Sequence, residues 1–516
     1  MNTKDLPNDT QELKKIISDY QYHVSYLKEK IDLLQKAIFG TKSEKSSNAQ
    51  SLENHLPLPG FEMAEPESKE QHSVTVPEHT RQKRGRKPLP PDLPREEIVH
   101  DISEEDKVCA CGTSLTCIGQ EVSEKLHYVP SRLCVHKHIR RKYACRGCEG
   151  VESQQGAVVT APMPAQLIPQ GIATPSLLAH ILVAKFVDAL PFYRQEKQFA
   201  RLGVDLSRST MVAWAMSAAR ACEPLLGLFK KDLLADHFLG IDETPVQVLN
   251  ESGKANTTKS YMWVFLGGSA ERPTVLYQYH PSRSGKALDF LQNFTGYIQT
   301  DGYAAYEALG ERPGITHVGC LAHVRRKFMD VIKISKRAKA KGGVAQEVLD
   351  RIAQLYNLEQ TLAQQKLEPG RIKEQREQYA VPILDEIKSI LDQGSLSTPP
   401  KSQLGKAIAY ALNQWDRVVR YVEHGRIRPD NNLVENAIRP FALGRKNWLF
   451  AGHPNGAHAG ALFFSLMETA KLNGLEPYAY LCHLFEHLPR AQDEQDVQAL
   501  LPQHIDPALI QTPSAG

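Results

Sequence analysis

Apolar side chains recur at alternating steps of four and three near the start of the chain: Leu13, Ile17, Tyr20, Val24, Leu27, Ile31, Leu34 and Ile38. This is a heptad seam with β-branched residues at a (Ile17, Val24, Ile31, Ile38) and mostly leucine at d, a combination that favours parallel dimers. The spacing predicts a leucine-zipper-like coiled coil over residues 10–46, by which the chain associates with itself. The alternative is an amphipathic helix packed on the chain's own body. The e and g positions lack complementary charges, so register and partner are weakly specified. Periodicity then stops. Residues 47–95 are polar, rich in Ser, Glu and Pro, and read as a flexible linker ending on the basic stretch RGRKPLPPDLP.

The helical period returns at Thr174. PFYRQEKQFARLGVDLSRSTMVAWAMSAA reads as a helix, a turn at Gly203, and a second helix capped by Ser207 or Ser209. Residues 165–230 are therefore expected as a helix-turn-helix-like DNA-binding region, with a plain helical hairpin as the alternative. At His237 the period changes to two. HFLGIDETPVQVL, SYMWVFLGG and PTVLYQYH predict three strands of an antiparallel meander. RSGKALDFLQNF is helical in pattern, GYIQTDGYAAY a strand ending at Asp301–Gly302, ITHVGC a further strand, and LAHVRRKF a basic helix. That order is the order of a ribonuclease-H-like sheet, assigned to residues 235–455. Long helical patterns at about 335–425 are too extensive for a loop and read as a helical insertion. Residues 456–495 are expected as a C-terminal helical segment. The fold class is thus multidomain α/β.

A chain of 516 residues is long enough for several domains. The net charge of +3 says little about partners, but local runs say more. Arg81–Lys87 has five cations in seven residues, and Arg325–Lys341 has eight cations and one acid. Such runs are solvated faces or phosphate-binding surfaces. Arg84, Arg86 and Lys87 sit in a short Gly-Arg-Lys-Pro element suited to a narrow minor groove, or in an extended basic linker. No apolar run approaches a membrane span, and the start MNTKDLPNDT lacks a signal-peptide core, so a cytoplasmic location is expected. In that reducing setting the nine cysteines need a reason other than disulfides. Cys109-x-Cys111 and Cys145-x-x-Cys148 predict a structural zinc ribbon within residues 96–155, whose metal would supply folding energy. Cys117, Cys134, His127, His136 and His138 are substitute ligands in principle and are read as ordinary polar or buried residues.

Three acids carry the candidate chemistry. Asp242 lies in the first strand, on the same face as Thr244, with Glu243 on the other. Asp301 ends the fourth strand, a neighbour of the first in this topology, so the two aspartates are expected side by side. Glu435, on a helix after the insertion, completes the cluster. Carboxylates so placed repel one another unless a hard divalent ion such as Mg²⁺ is shared among them. Two such ions, Mg²⁺ or Mn²⁺, suit displacement at a phosphodiester. Each acid also has a local explanation: TDGY is good turn chemistry. Asn432-x-x-Glu435 fits a helix cap, with Glu435 and Arg439 an i, i+4 pair. Cys320-x-x-His323 is read as packing and positioning, since no second pair stands near it.

GIDETPVQVL, TDGYAAYEAL, HVGCLAHVRRKF, RPDNNLVENAIRPFALGRKNWLF and SLMETAKLNGLEPYAYL together resemble the transposases of the bacterial insertion-sequence family numbered sixty-six. The N-terminal seam, FGTKSEK, RGRKPLP and the cysteine pairs match in the same order, so the resemblance spans roughly residues 10 to 490. It implies a DDE transposase with a ribonuclease-H-like core, Asp242, Asp301 and Glu435 as the triad, GRKNW beside the DNA path, and small accessory proteins encoded by the same element. On that expectation the chain cuts at the element's terminal inverted repeats and joins the freed 3′-hydroxyl to target DNA. Arg208, Arg325, Arg326, Lys327, Arg439, Arg445 and Lys446 are the expected phosphate or base contacts. Trp448 is expected to stack on an unpaired base, or else to lie in the core. The rival is a non-catalytic DNA-binding repressor or an inactive copy.

Overall fold

The computed structural model describes residues 133–144, 158–303, 305–334 and 343–510. The expected coiled coil, the linker with Arg84, Arg86 and Lys87, and the zinc cysteines Cys109, Cys111, Cys145 and Cys148 lie outside the described residues. The chain divides into two units, Lys42–His138 and a second made of Met1–Thr41 with Ile139–Gly516. Every described helix and strand belongs to the larger unit.

A short antiparallel ribbon of β1 (Lys142–Ala144) and β2 (Val158–Thr160) precedes three helices, α1 (Pro175–Phe186), α2 (Phe192–Arg201) and α3 (Arg208–Ala235). Each start has a local cause. The Thr174 hydroxyl accepts from Leu177 N–H to cap α1, and Ser207 accepts from Thr210 N–H to cap α3. Gly203, at φ +79°, makes the turn between α2 and α3, a conformation glycine adopts without a Cβ clash. The expected helix–turn–helix outline is present, but α3 runs for 28 residues and buries Met211, Trp214, Cys222 and Phe229. These side chains join one continuous core with the sheet and with the C-terminal helices. Residues 165–230 and 456–495 therefore share the core of the sheet they flank.

The sheet consists of β3 (Phe238–Val248), β4 (Lys259–Gly268), β5 (Pro273–His280), β6 (Gly296–Gln299), β7 (Ile315–Val318) and β8 (Phe450–Ala451). Its order is β5-β4-β3-β6-β7, with β8 on the far end of β3. The β3–β4–β5 meander is antiparallel, whereas β6 and β8 run parallel to β3, and β7 runs parallel to β6. RSGKALDFLQNF, expected as a helix, closes only a 3₁₀ turn at Gly285–Leu291. The strand expected to end at Asp301 ends at Gln299, which leaves Asp301 in the loop beyond it. That loop leads to α4 (Ala305–Gly310), and β7 leads to the basic helix α5 (Leu321–Ile334).

The insertion contains α6 (Val344–Gln365), α7 (Pro369–Ser397) and α8 (Gln403–Val418), and it builds its own core with α5 around Phe328, Ile352, Leu384 and Trp415. A buried ion pair locks it. Arg376 reaches both Glu359 oxygens at 2.8 and 2.7 Å and donates to the carbonyls of Tyr421 and His424. With each guanidinium nitrogen partnered, the buried charge is compensated.

The chain then returns to the sheet through α9 (Asn432–Trp448), α10 (Pro454–Leu472), α11 (Pro477–His487) and the short α12 (Glu494–Ala499). Helix α10 covers the outer edge of β5, whose unpaired backbone groups would otherwise be buried without partners. Ser465 accepts from Tyr277 N–H at 2.8 Å. Thr469 accepts from Val275 N–H at 3.0 Å and donates to Val275 C=O at 3.1 Å, and Asn473 donates to Pro273 C=O at 2.8 Å. One polar residue per helical turn meets every second strand residue because ~6 Å of helix rise per four residues nearly matches ~6.8 Å per strand pair. Replacing Thr469 by the near-isosteric valine leaves two buried backbone groups unpaired. We expect Thr469→Val to cost about 2–3 kcal/mol in denaturant unfolding with an unchanged slope against denaturant.

Candidate active site

Asp242, Asp301 and Glu435 line one pocket of about 350 Å³, together with His323, Arg326 and Arg439. Strand pairing accounts for the first two. The last paired residues of the parallel β3–β6 ladder are Gly240 and Gln299, and each aspartate lies two residues beyond its partner in that register. Tyr303 N–H donates to Asp301 Oδ1 at 3.0 Å and fixes the loop, while Glu243 N–H donates to Asp242 Oδ1 at 2.8 Å.

Glu435 arrives on the first turn of α9, and a buried asparagine places that turn. Asn431 precedes the helix, and its Nδ2 donates to the carbonyl of Ile241 at 3.1 Å, the residue just before Asp242. Its backbone N–H points at Cys320 Sγ, 3.3 Å away at the start of α5. One residue thus ties α9 to β3 and to α5. The cap expected at Asn432 does not form there. Asn431 is the N-cap by position, its side chain serves β3, and Asp430 accepts from Asn432 N–H at 3.2 Å. The expected Glu435–Arg439 pair is also absent among the described residues. Glu435 faces α5 instead, 3.5 Å from Arg326 and 3.7 Å from His323 Nδ1.

Burial and the neighbouring acids dominate the electrostatics. Loss of solvent around Asp242, reinforced by Glu243, Asp301 and Glu435, pushes its carboxyl up to about 7, against one lowering contribution from the Glu243 N–H. His323 is held below the usual histidine value by burial, although Glu435 pulls the other way. Burial also pushes the Cys320 thiol up to about 11. The three carboxylates bring hard oxygen donors to the lining of one pocket, with Arg326 and Arg439 beside them. That fits a divalent cation of the Mg²⁺ or Mn²⁺ type.

A second set of residues, not singled out by motif, supports the aspartates from behind. Glu243 on the opposite face of β3 accepts from Arg283 Nε at 2.7 Å and from the Tyr306 hydroxyl. The Arg283 guanidinium lies 3.7 Å from the centre of the Tyr303 ring, and the Tyr303 hydroxyl donates to the Arg283 carbonyl at 2.9 Å. The Asp301 loop is thus clamped to β3 through Glu243. The sequence clue was slight: an acid pointing into the core one residue after Asp242.

The basic residues divide. Arg325, Arg326 and Lys327 are exposed on α5, Arg439 and Lys446 are exposed on α9, and Arg208 is exposed at the start of α3. Of these, Arg326 and Arg439 border the pocket. Arg445 is half-buried and donates to Thr244 Oγ1 at 3.1 Å, packing α9 onto β3. Trp448 stands edge-on to Phe441, with ring centres 5.4 Å apart, and packs against the main core. Its ring is half-buried, with the Lys185 ammonium 6.0 Å from the ring centre.

Comparison with known proteins covers nearly all of the chain. A profile described as "Transposase IS66 family" matches residues 170–459, and "IS66 C-terminal element" matches 465–503. "Zinc-finger binding domain of transposase IS66" matches 106–149, the span that holds both cysteine pairs. "Transposase C of IS166 homeodomain" matches 26–98. Two relatives from Sinorhizobium fredii, the uncharacterized proteins y4jD and y4qI, are 33% and 31% identical. The first alignment covers 94% of this chain and 93% of y4jD; the second covers 96% and 92%. A third, y4hP, is 28% identical over 89% of this chain and 85% of its own length.

The raised Asp242 carboxyl has a consequence for stability. Unfolded, the group ionises near its ordinary value of 3.8; folded, near 7. Its folded form therefore binds a proton that the unfolded form has released, and stability falls as pH rises through that interval. Without added divalent cation, Asp242→Asn should nearly match the wild type at about pH 4 and exceed it at about pH 8 by up to about 4 kcal/mol. Denaturant unfolding at the two pH values measures this.

Proposed function

This chain belongs to the transposase IS66 family, and on that premise we propose that it is a DDE-type DNA transposase acting through Asp242, Asp301 and Glu435. The observation that carries this reading is the convergence of the three carboxylates in one pocket flanked by Arg326 and Arg439. The β5-β4-β3-β6-β7 order supports a ribonuclease-H-like core. The reaction is hydrolysis at an element end to release a 3′-hydroxyl, followed by attack of that hydroxyl on target DNA.

The residues divide the work. Asp242, Asp301 and Glu435 would hold two Mg²⁺ or Mn²⁺ ions. Bound there, such ions supply the Lewis acidity that activates an attacking oxygen and stabilises a leaving one. Arg326 and Arg439 orient the phosphodiester by charge, and Arg325, Lys327 and Lys446 extend that surface to the neighbouring phosphates. Asn431, through Ile241, keeps Glu435 in register with Asp242. Glu243 and Arg283 do the same for Asp301. Trp448 and Arg445 support α9 from within. Arg208 at the start of α3, together with Arg84, Arg86 and Lys87, binds the terminal inverted repeats. Cys109, Cys111, Cys145 and Cys148 hold a structural zinc, the coiled coil pairs two subunits and hence two DNA ends, and element-encoded accessory proteins assist. No described helix is long and apolar enough to cross a membrane.

A strand-transfer assay decides the central point. Purified chain is mixed with pre-cut element-end DNA, plasmid target and Mg²⁺ or Mn²⁺, beside Glu435→Gln. Joining should fall on the order of a thousandfold in the variant while DNA binding is retained. Equal joining by both proteins would remove Glu435 from the reaction. Binding without joining by the wild type, with accessory proteins supplied, would favour a non-catalytic DNA-binding role.

A further inference from the structure

We propose that Cys320, His323 and Glu435 form a binding site for a thiophilic divalent cation of the Zn²⁺ class, and that filling it withdraws Glu435 from the carboxylate pocket. The withdrawal rests on the reading of Glu435 as a member of the catalytic triad; the site itself does not.

The three side chains offer one sulfur, one nitrogen and one oxygen, all within 4.8 Å of one another. His323 Nδ1 and Glu435 Oε1 are each buried without a hydrogen-bond partner. They stand 3.7 Å apart, too far to bond to each other. A nitrogen and an oxygen on one tetrahedral zinc, with bonds of about 2.0–2.2 Å, lie roughly 3.3–3.5 Å apart, so a closing of about 0.2 Å lets the two share an ion. The sulfur is prepared as well. Asn431 N–H points at Cys320 Sγ from 3.3 Å, at the start of α5. Such a backbone donor orients the sulfur as a ligand, and a bound cation would favour the thiolate that burial alone disfavours. Binding would release the thiol proton to solvent and leave a fourth position open toward the pocket.

Ligand type separates this site from the triad. Mg²⁺ and Mn²⁺ favour oxygen donors, whereas a thiolate–imidazole–carboxylate set favours Zn²⁺, Co²⁺ or Cd²⁺. Because Glu435 belongs to both sets, the two kinds of ion compete for it. From the sequence, Cys320-x-x-His323 lacks a partner pair; the third ligand comes from beyond the whole helical insertion.

The test is a Co²⁺ titration of the full-length chain carrying its structural zinc, followed by thiolate-to-cobalt charge-transfer absorption. The wild type should take up one more Co²⁺ per chain than Cys320→Ser, with a charge-transfer band missing from the variant. His323→Gln and Glu435→Gln should weaken that binding at least tenfold. Excess Mn²⁺ should weaken it in the wild type and not in Glu435→Gln. Equal uptake and identical spectra in wild type and Cys320→Ser would overturn the proposal. Should Cys320→Ser fail to unfold cooperatively, unchanged affinity in His323→Gln overturns it alone. DNA joining in Mg²⁺ is read separately. Joining without the cobalt band refutes only the cation site, and the band without joining refutes only the catalytic reading of the pocket.

Discussion

Like charges brought together out of water repel, and the centre of this molecule is arranged around that constraint. Asp242 is pushed up to about 7 by burial and by its acidic neighbours. Such a cluster persists only where the surrounding structure determines each position more than once. Asp242 is held by the ladders of β3, Asp301 by Tyr303 and by the Glu243–Arg283 clamp, and Glu435 by the Asn431 bridge to Ile241. Burial of Asp242 among these acids costs stability wherever its carboxyl is ionised.

β3 is the organising strand because it pairs along both edges and changes partner type as it does so. Its antiparallel edge faces β4, while its other edge takes β6 at one end and β8 at the other, both parallel. Parallel pairing needs long crossovers, and the chain supplies them: the 3₁₀ turn before β6, and the whole insertion plus α9 before β8. The insertion packs on its own core with α5, so its addition leaves the main core intact. The outer edge at β5 is closed by hydroxyl and amide groups on and just after α10 rather than by another strand.

Local patterns made several elements legible before any coordinates. The three-strand meander, the helices on either side of Gly203 and the helical insertion follow from period and turn chemistry, and the neighbouring first and fourth strands from the order of the elements. Details that depend on distant partners were not legible. Asn432 and Glu435 have the spacing of a cap, yet Asn431 takes that position because its side chain finds a buried carbonyl on β3. Glu435 and Arg439 have the spacing of an ion pair, yet α5 offers Glu435 the nearer cation. Arg445 and Trp448 belong to a motif rich in cations, yet helix geometry turns both inward toward Thr244 and Phe441.

Neighbouring residues alone specify the elements and the family, because periodicity, capping and long shared motifs are written at short range. Two relations came only with the packed chain. Glu243 supports the aspartates through Arg283 and Tyr306, and Cys320 and His323 face Glu435. The last of these joins residues separated by a helical insertion with its own core. Contacts across such a separation are set by packing and by the need to pair buried polar groups, which no local pattern encodes.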